Sequence, residues 1–519
     1  MTKSAIRFAV LFAIGLAGSG PAIAENGMPP AIRQIVEQSY GADATVLAFY
    51  RARDFAPAWS DADAASLQAA LMGAEREGLD PKDYYLPSSR NAMARDVGLT
   101  AAALTYIAGA ENGRPGLRAI DSDIDLAPAA SDIAAELAAA IRDHRVAALL
   151  AEASPRAPEY ARLKSELARY RGIRDSGGWP SLPPGTSVDP SGNDAGGALL
   201  RERLRFEDSV LAADPSADLI AALKRFQARH GLEPDGRLGT RSLAELNISA
   251  DDRVQQIIAN MERWRWLPRA FEPDFIAVNV PDASLSLILG GQAVMTSRVV
   301  VGKPSTPTPI FRAEGAGITV NPVWNVPDSI ARKEILPKLK RNPAYLLSQD
   351  MVLINGPADD PYGLYVRWRN IPAGTFPFRI QQRSGQKNSL GSLKFELPTR
   401  FDVYLHDTPA KQAFAFSTRD ISHGCVRVQQ ILPLTSYALN KNLDGMTAIQ
   451  DAVSNGETRY LPLQRKLPVY FLYWTAFAGP DGTLQFRPDI YGRDRRLIAA
   501  LRGGALAEVS ANFPNCSRG

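Results

Sequence analysis

Two cysteines in 519 residues, Cys425 and Cys516, and four histidines, His144, His230, His406 and His423, are the whole supply of thiol and imidazole. A disulfide framework cannot be built from so few cysteines, and no grouping of Cys, His and carboxylate has zinc-ligand spacing, so a metal site is not expected and a metallohydrolase is disfavoured. After residue 24 no stretch approaches 18 uncharged apolar residues, so the mature chain is expected to lack a transmembrane segment. Neither sign of charge dominates, with 59 basic against 55 acidic side chains, which gives no reason to expect nucleic-acid binding. Hydrophobic residues at 45% and charged residues at 22% are ordinary for globular proteins and exclude wholesale disorder.

What is present first fixes an expected compartment. Lys3 and Arg7 precede the apolar run Phe8 to Leu16, and Ala22-Ile23-Ala24 supplies a small-residue cleavage site. This order reads as a secretory signal peptide over 1–24, against the alternative of an uncleaved membrane anchor, and is expected to place the mature protein outside the cytoplasm in an oxidising environment. Ala-rich periodic segments such as Asp132 to Arg145 and Glu159 to Tyr170 predict a helical domain over 25–205, broken by the Gly/Pro/Ser-rich stretch from Gly177 to Gly197. Leu219, Ile220, Leu223 and Phe226 lie at helical spacing ahead of the turn Gly231 to Gly236, and a second helix starts near Thr240; this marks a small module over 210–250. From Phe275 the period changes to two, and Gly290-Gly291 separates two such runs as a hairpin turn, so a β-rich domain is expected over 270–455, followed by a C-terminal segment over 456–519. The stretch Ser329 to Leu347, with Arg332, Lys333, Lys338, Lys340 and Arg341, reads as a basic helical insertion whose charges form a solvated face or contact an anionic ligand.

The chemistry concentrates in Ser422-His423-Gly424-Cys425-Val426-Arg427-Val428, where a cysteine enters a strand directly after a glycine. Glycine permits a tight turn and bares neighbouring peptide N–H groups, which can then point at one acyl oxygen. A thiol of ordinary pKa is only a few per cent thiolate at neutral pH and needs a base. In Phe401 to His406, Tyr404 and His406 share one strand face while Val403 and Leu405 share the other, so His406 faces away from the core and is assigned as the base. His423, one residue from the turn glycine, supports the turn and the oxyanion site. Against this stand a structural cysteine and a Cys425–Cys516 disulfide.

The pattern of His406, fifteen residues, then Ser422-His423-Gly424-Cys425 with Arg427 two residues on resembles the signature of the L,D-transpeptidases, whose catalytic domain is of the YkuD type. The flanks Tyr404 to Pro409, Asn388 to Gly391 and Asn321 to Pro327 are similar to those of the large Gram-negative YcbB-like subgroup, and the stretch 210–250 resembles the three-helix peptidoglycan-binding module. The resemblance implies an α+β multidomain chain: a helical scaffold, the small module, and a β-rich, sandwich-like catalytic domain with a helical capping insertion at about 319–386. It implies Cys425 as the acylated nucleophile, His406 as the base, and the N–H groups around His423, Gly424 and Cys425 as the oxyanion hole. Arg427, Tyr404, Ser422 and Asp407 are the expected substrate-binding set; Asp407 is also read as structural, or as orienting His406, and Tyr404 as a packed aromatic. The implied substrates are peptidoglycan tetrapeptide stems, as donor and acceptor, joined in 3→3 cross-links by an amide exchange that needs no cofactor, with other cell-wall synthesis proteins as further partners and the insertion, rich in aromatics, as a lid.

Other acceptors would turn the same thioester to L,D-carboxypeptidase or endopeptidase work, or to protein anchoring on the wall. A non-catalytic peptidoglycan-binding scaffold has no use for the His406 and Cys425 pair. A papain-like protease would need an early cysteine and a distant later histidine, an order this chain does not supply.

Overall fold

Side-chain caps start the N-terminal helices where the sequence offers them. Asp43 accepts from the Thr45 and Val46 amides, Ser60 from Asp63, Asn91 from Met93 and Ala94, and Asp132 from Ala135, each satisfying donors that a helix leaves open at its first turn. The computed structural model describes residues 32–503 apart from 42, 85, 87–88, 128–130, 190–192 and 441; the expected signal peptide and Cys516 lie outside the described residues. Among the described residues no helix is long and apolar enough to cross a membrane.

The helices between Ile32 and Glu152 close a core of their own, with Val36, Phe49, Leu67, Val97, Ile107 and Leu137 buried in it. The helix Pro158–Asp175 leaves that core. Its Tyr160, Leu163, Leu167 and Tyr170 pack with the helix Ala250–Trp264 and with the β-rich domain, so packing parts the 25–205 stretch near residue 153. The small module is larger than its 210–250 reading, because Leu182, Leu200 and Leu204 share one core with Leu219, Leu223, Phe226 and Leu246.

The β-rich half is one sheet that closes on itself. Its strands run in the order Ile310–Val320, Arg459–Leu472, Phe275–Asn279, Ser284–Leu289, Gln292–Gly302, Val426–Val428, Leu405–His406 and Leu393–Glu396, and the last pairs back onto the first with Ile318 opposite Phe395. A short strand, Ile124–Asp125, adds to the outer edge of Ile310–Val320. Closure brings the Phe395 ring across Gly315, where a Cβ would stand 2.5 Å from a ring carbon, so a side chain at 315 would force the sheet apart. Val278, Leu285, Val299, Ile318, Leu405, Val426, Val469 and Phe471 fill the interior with no exposed surface.

Between the strands ending at Val320 and starting at Leu393, the chain leaves the sheet and builds the insertion. Thr319 belongs to the sheet itself, paired with Tyr460 and Lys394. The insertion is not only helical: Trp324–Asn325, Ile380–Gln382 and Met351–Leu353 form a three-stranded sheet of their own. Ile335, Leu336, Leu339, Leu346, Leu353 and Trp368 make a separate small core for it. At its neck the Asn388 amide nitrogen donates to the carbonyls of Pro322 and Arg383, both at 2.9 Å, and so ties the outgoing and returning strands together.

Candidate active site

Parallel pairing of two short strands sets the candidate reacting groups side by side. Leu405 is opposite Val426 and His406 opposite Arg427, and the Val426 amide donates to the Tyr404 carbonyl at 3.1 Å. Leu405 and Val426 point into the core, so Tyr404, His406, Cys425 and Arg427 project from the other face, where all four line one cavity of about 220 Å³. Ser422 and His423 line it as well. Gly424 holds φ at 115°, a conformation that side chains rarely adopt, and this turn delivers Cys425 to the mouth of its strand.

A net of hydrogen bonds fixes the turn. The Ser422 hydroxyl donates to the Cys425 carbonyl at 2.7 Å and accepts from the Gly424 amide at 3.1 Å. The Thr308 hydroxyl donates to the Gly424 carbonyl at 2.8 Å, while the Thr306 hydroxyl and the Lys303 amide both donate to the Ser422 carbonyl. Two of the expected roles change as a result. Ser422 is buried and braces the turn, and the Gly424 amide is spent on Ser422, which leaves the His423 and Cys425 amides as the candidates for an oxyanion site. The thiol lies 3.8 Å from the Asp402 carbonyl.

His406 is buried, and burial pushes its pKa down to about 3; the positive charge of Arg427 acts in the same direction, while the backbone at Asp407 and Leu390 opposes it. The ring is therefore neutral at physiological pH, the form a base needs. Burial lowers the Arg427 pKa too, and no carboxylate forms an ion pair with its guanidinium among the described residues. Tyr404 packs edge-on against the His406 ring at 5.6 Å and has the Lys394 ammonium over its own face at 4.2 Å, so it walls the cavity as an aromatic. Asp407 does not line the cavity. Its carboxylate accepts from the Ser392 amide and hydroxyl and pairs with Lys411, and a Cβ at Gly391 would collide with it; this supports its structural reading.

The insertion roofs the same cavity with Trp324, Ile330, Glu334, Lys338, Tyr345 and Met351. Of its five basic residues named from the sequence only Lys338 lines the cavity, where its ammonium donates to the Tyr345 hydroxyl at 3.1 Å; Arg332 is taken by Asp328. Lys303, Thr306, Thr308 and Glu334 were not identified from the sequence. The one available signal was the Lys303-Pro304-Ser305-Thr306-Pro307-Thr308-Pro309 turn, whose prolines mark a rigid connection between two strands.

Residues 273–445 match the family described as the L,D-transpeptidase catalytic domain, YkuD, and residues 44–167 match the family described as a scaffold domain. A Haemophilus influenzae protein named putative L,D-transpeptidase is 32% identical over 250 residues, which are 48% of this chain and 50% of that protein. The chain thus spans about half the length of that curated relative. Among solved structures, the L,D-transpeptidase from Mycobacterium smegmatis is 13% identical over 38% of this chain and 58% of its own, with a TM-score of 0.19. The Ldtfm-avibactam carbamoyl enzyme is 12% identical over 40% and 51%, with a TM-score of 0.20. The closed sheet that holds His406 and Cys425 is thus a YkuD-type L,D-transpeptidase catalytic domain, and a scaffold domain precedes it in the chain.

Proposed function

We propose that the protein is a periplasmic peptidoglycan L,D-transpeptidase of the YcbB-like build, forming 3→3 cross-links between tetrapeptide stems through a thioester on Cys425. The observation that carries the reading is the convergence of Cys425, His406 and Arg427 on one face of two paired strands, inside a cavity that the insertion covers. His406 takes the thiol proton as sulfur attacks the carbonyl of the third stem residue. The C–N bond to the terminal D-alanine breaks, and its nitrogen leaves with the proton held by His406. The side-chain amine of a second stem then attacks the thioester, gives up a proton to His406, and the thiol is restored. One amide replaces another, so the exchange needs no energy source.

With its pKa held so low, His406 is a weak base and its imidazole is neutral at physiological pH. A stem carboxylate paired with Arg427 would cancel one of the two causes of that depression and strengthen the base when substrate arrives. Lys338 and Arg427, from the roof and the floor of the cavity, supply the cationic partners for stem carboxylates. The stems, as donor and acceptor, are the proposed partners, together with other wall-synthesis proteins. Incubation with a carbapenem, a strained acylating agent, followed by intact-protein and peptide mass spectrometry is the direct test. An adduct mapped to Cys425 supports the reading, and its absence from a folded protein removes it.

A further inference from the structure

The insertion reaches the catalytic turn through the side chain of Glu334. Glu334 lies in the π-turn Ala331–Ile335, and Pro337 follows it in the next helix. A proline there has no N–H to continue the α-helical ladder, and a wider turn is one way for a helix to absorb that loss. In this π-turn the Glu334 carboxylate accepts from Nε2 of His423 in the catalytic turn. Lys303, whose amide already holds the Ser422 carbonyl, brings its ammonium within 3.4 Å of the same His423 nitrogen and 3.8 Å of the Glu334 carboxylate. Three separate pieces of chain, the insertion, the proline-rich turn and the catalytic turn, thus meet at one imidazole beside Cys425.

We propose that Glu334 is a positioning residue: through its bond to His423 it fixes the catalytic turn, so that the oxyanion amides and Cys425 reach their reactive arrangement only with the insertion seated over the cavity. This rests on the transpeptidase reading and deepens it. Glu334 need not touch the substrate. It acts through His423, and the insertion becomes a part of the acylation machinery as well as a cover. Both side chains are about one-third exposed, at 38% and 30%, so the effect is modest. Loss of the contact is expected to slow Cys425 acylation about fivefold, the scale of a partly exposed charged pair.

The test is a double-mutant cycle on acylation by a carbapenem, followed by mass spectrometry and stopped-flow absorbance, with Glu334→Ala, His423→Ala and the double variant in the full chain. If Glu334 acts through His423, Glu334→Ala slows acylation about fivefold in the parent and has no further effect in the His423→Ala background. The neutral Glu334→Gln, which keeps an acceptor oxygen, should recover part of the lost rate; it also serves as the test variant if Glu334→Ala does not fold. An effect of Glu334→Ala that is the same in both backgrounds, or a rate equal to the parent's, overturns the proposal while leaving the transpeptidase reading intact. Failure of the parent protein itself to form a Cys425 adduct removes that reading and the proposal with it.

Discussion

At the scale of single residues, the proposed chemistry rests on atoms that can be changed with little disturbance of packing. Cys425→Ala is expected to abolish cross-linking with the fold intact, because it removes the nucleophile and adds no polar group to a part-buried site. Cys425→Ser is expected to fail as well, since a hydroxyl is a far weaker acid than a thiol and a base with a pKa near 3 cannot ionise it usefully. Muropeptide chromatography beside a thermal melt checks both; a Cys425→Ala protein that still forms dimers would overturn the assignment. His406→Ala is expected to slow acylation on the order of 10²-fold or more, as loss of a general base typically does, and His423→Ala much less. The reverse order in two folded variants would make His423 the base. His406 and Cys425 were legible in the sequence because strand alternation and nineteen residues of chain decide which way they point. The groups that brace them were not: Glu334, Thr308 and Lys303 reach the catalytic turn from 89, 116 and 120 residues away, and nothing local in the sequence encodes such contacts.

At the scale of elements, the proposed reaction gives the insertion the task of deciding what the thioester meets. Water far outnumbers any acceptor amine, so cross-linking competes with hydrolysis only in a closed and oriented site. The sequence located this element by its aromatic and basic composition but set its edge inside a strand, because Thr319 continues an alternating pattern that only pairing with Tyr460 and Lys394 identifies as sheet. A cut within Ser329 to Leu347 would remove Ile335, Leu336, Leu339 and Leu346 from the insertion's own core and unfold what remains of it. The neck is the better place. Pro322 and Arg383 offer their carbonyls to one Asn388 nitrogen, so a few glycines joining 322 to 383 can replace the whole insertion without straining the sheet. This deletion is expected to turn products from 3→3 dimers toward hydrolysed tripeptides while Cys425 still forms a carbapenem adduct, more slowly. The dimer-to-tripeptide ratio is independent of the acylation rate, so it separates shielding of the thioester from positioning of the turn. An unchanged ratio in a folded deletion variant would make the insertion a docking surface instead of a lid.

At the scale of the whole molecule, the domains are joined by a buried set of charges that composition does not reveal, since only assembly brings its members together. His230 and Glu245 come from the small module, Arg253 from the helix Ala250–Trp264 and Tyr170 from the helix Pro158–Asp175. Glu207 accepts from the Tyr170 hydroxyl at 2.7 Å, and Nδ1 of His230 lies 3.0 Å from Glu245. The His230 ring stacks on Phe226 at 3.9 Å and on Phe486 of the catalytic half at 5.4 Å. Burial pushes the His230 pKa down to about 4, against the pull of Glu245 and Glu207. The unfolded chain therefore takes up a proton near pH 6.5 that the folded chain refuses until about pH 4, and stability is lost as pH falls through that window. His406, with a pKa of about 3, acts with the same sign. Despite their burial, Glu245 and Glu207 are held below the ordinary carboxylate range by nearby cations, Arg253 and Arg203 first among them, so they withdraw stability in turn as pH falls below their unfolded values. Each histidine is expected to cost on the order of 2 kcal/mol between pH 7 and pH 5. The melting temperature should drop over that interval, and His230→Gln, which keeps a hydrogen-bonding side chain but cannot titrate, should flatten the drop while lowering stability at pH 7. Calorimetry of both proteins at the two pH values checks this. A parent melting temperature that does not fall from pH 7 to pH 5 would mean that the buried imidazoles are already protonated in the fold, and an equal fall in His230→Gln would move the acid sensitivity away from the joint between the module and the catalytic half.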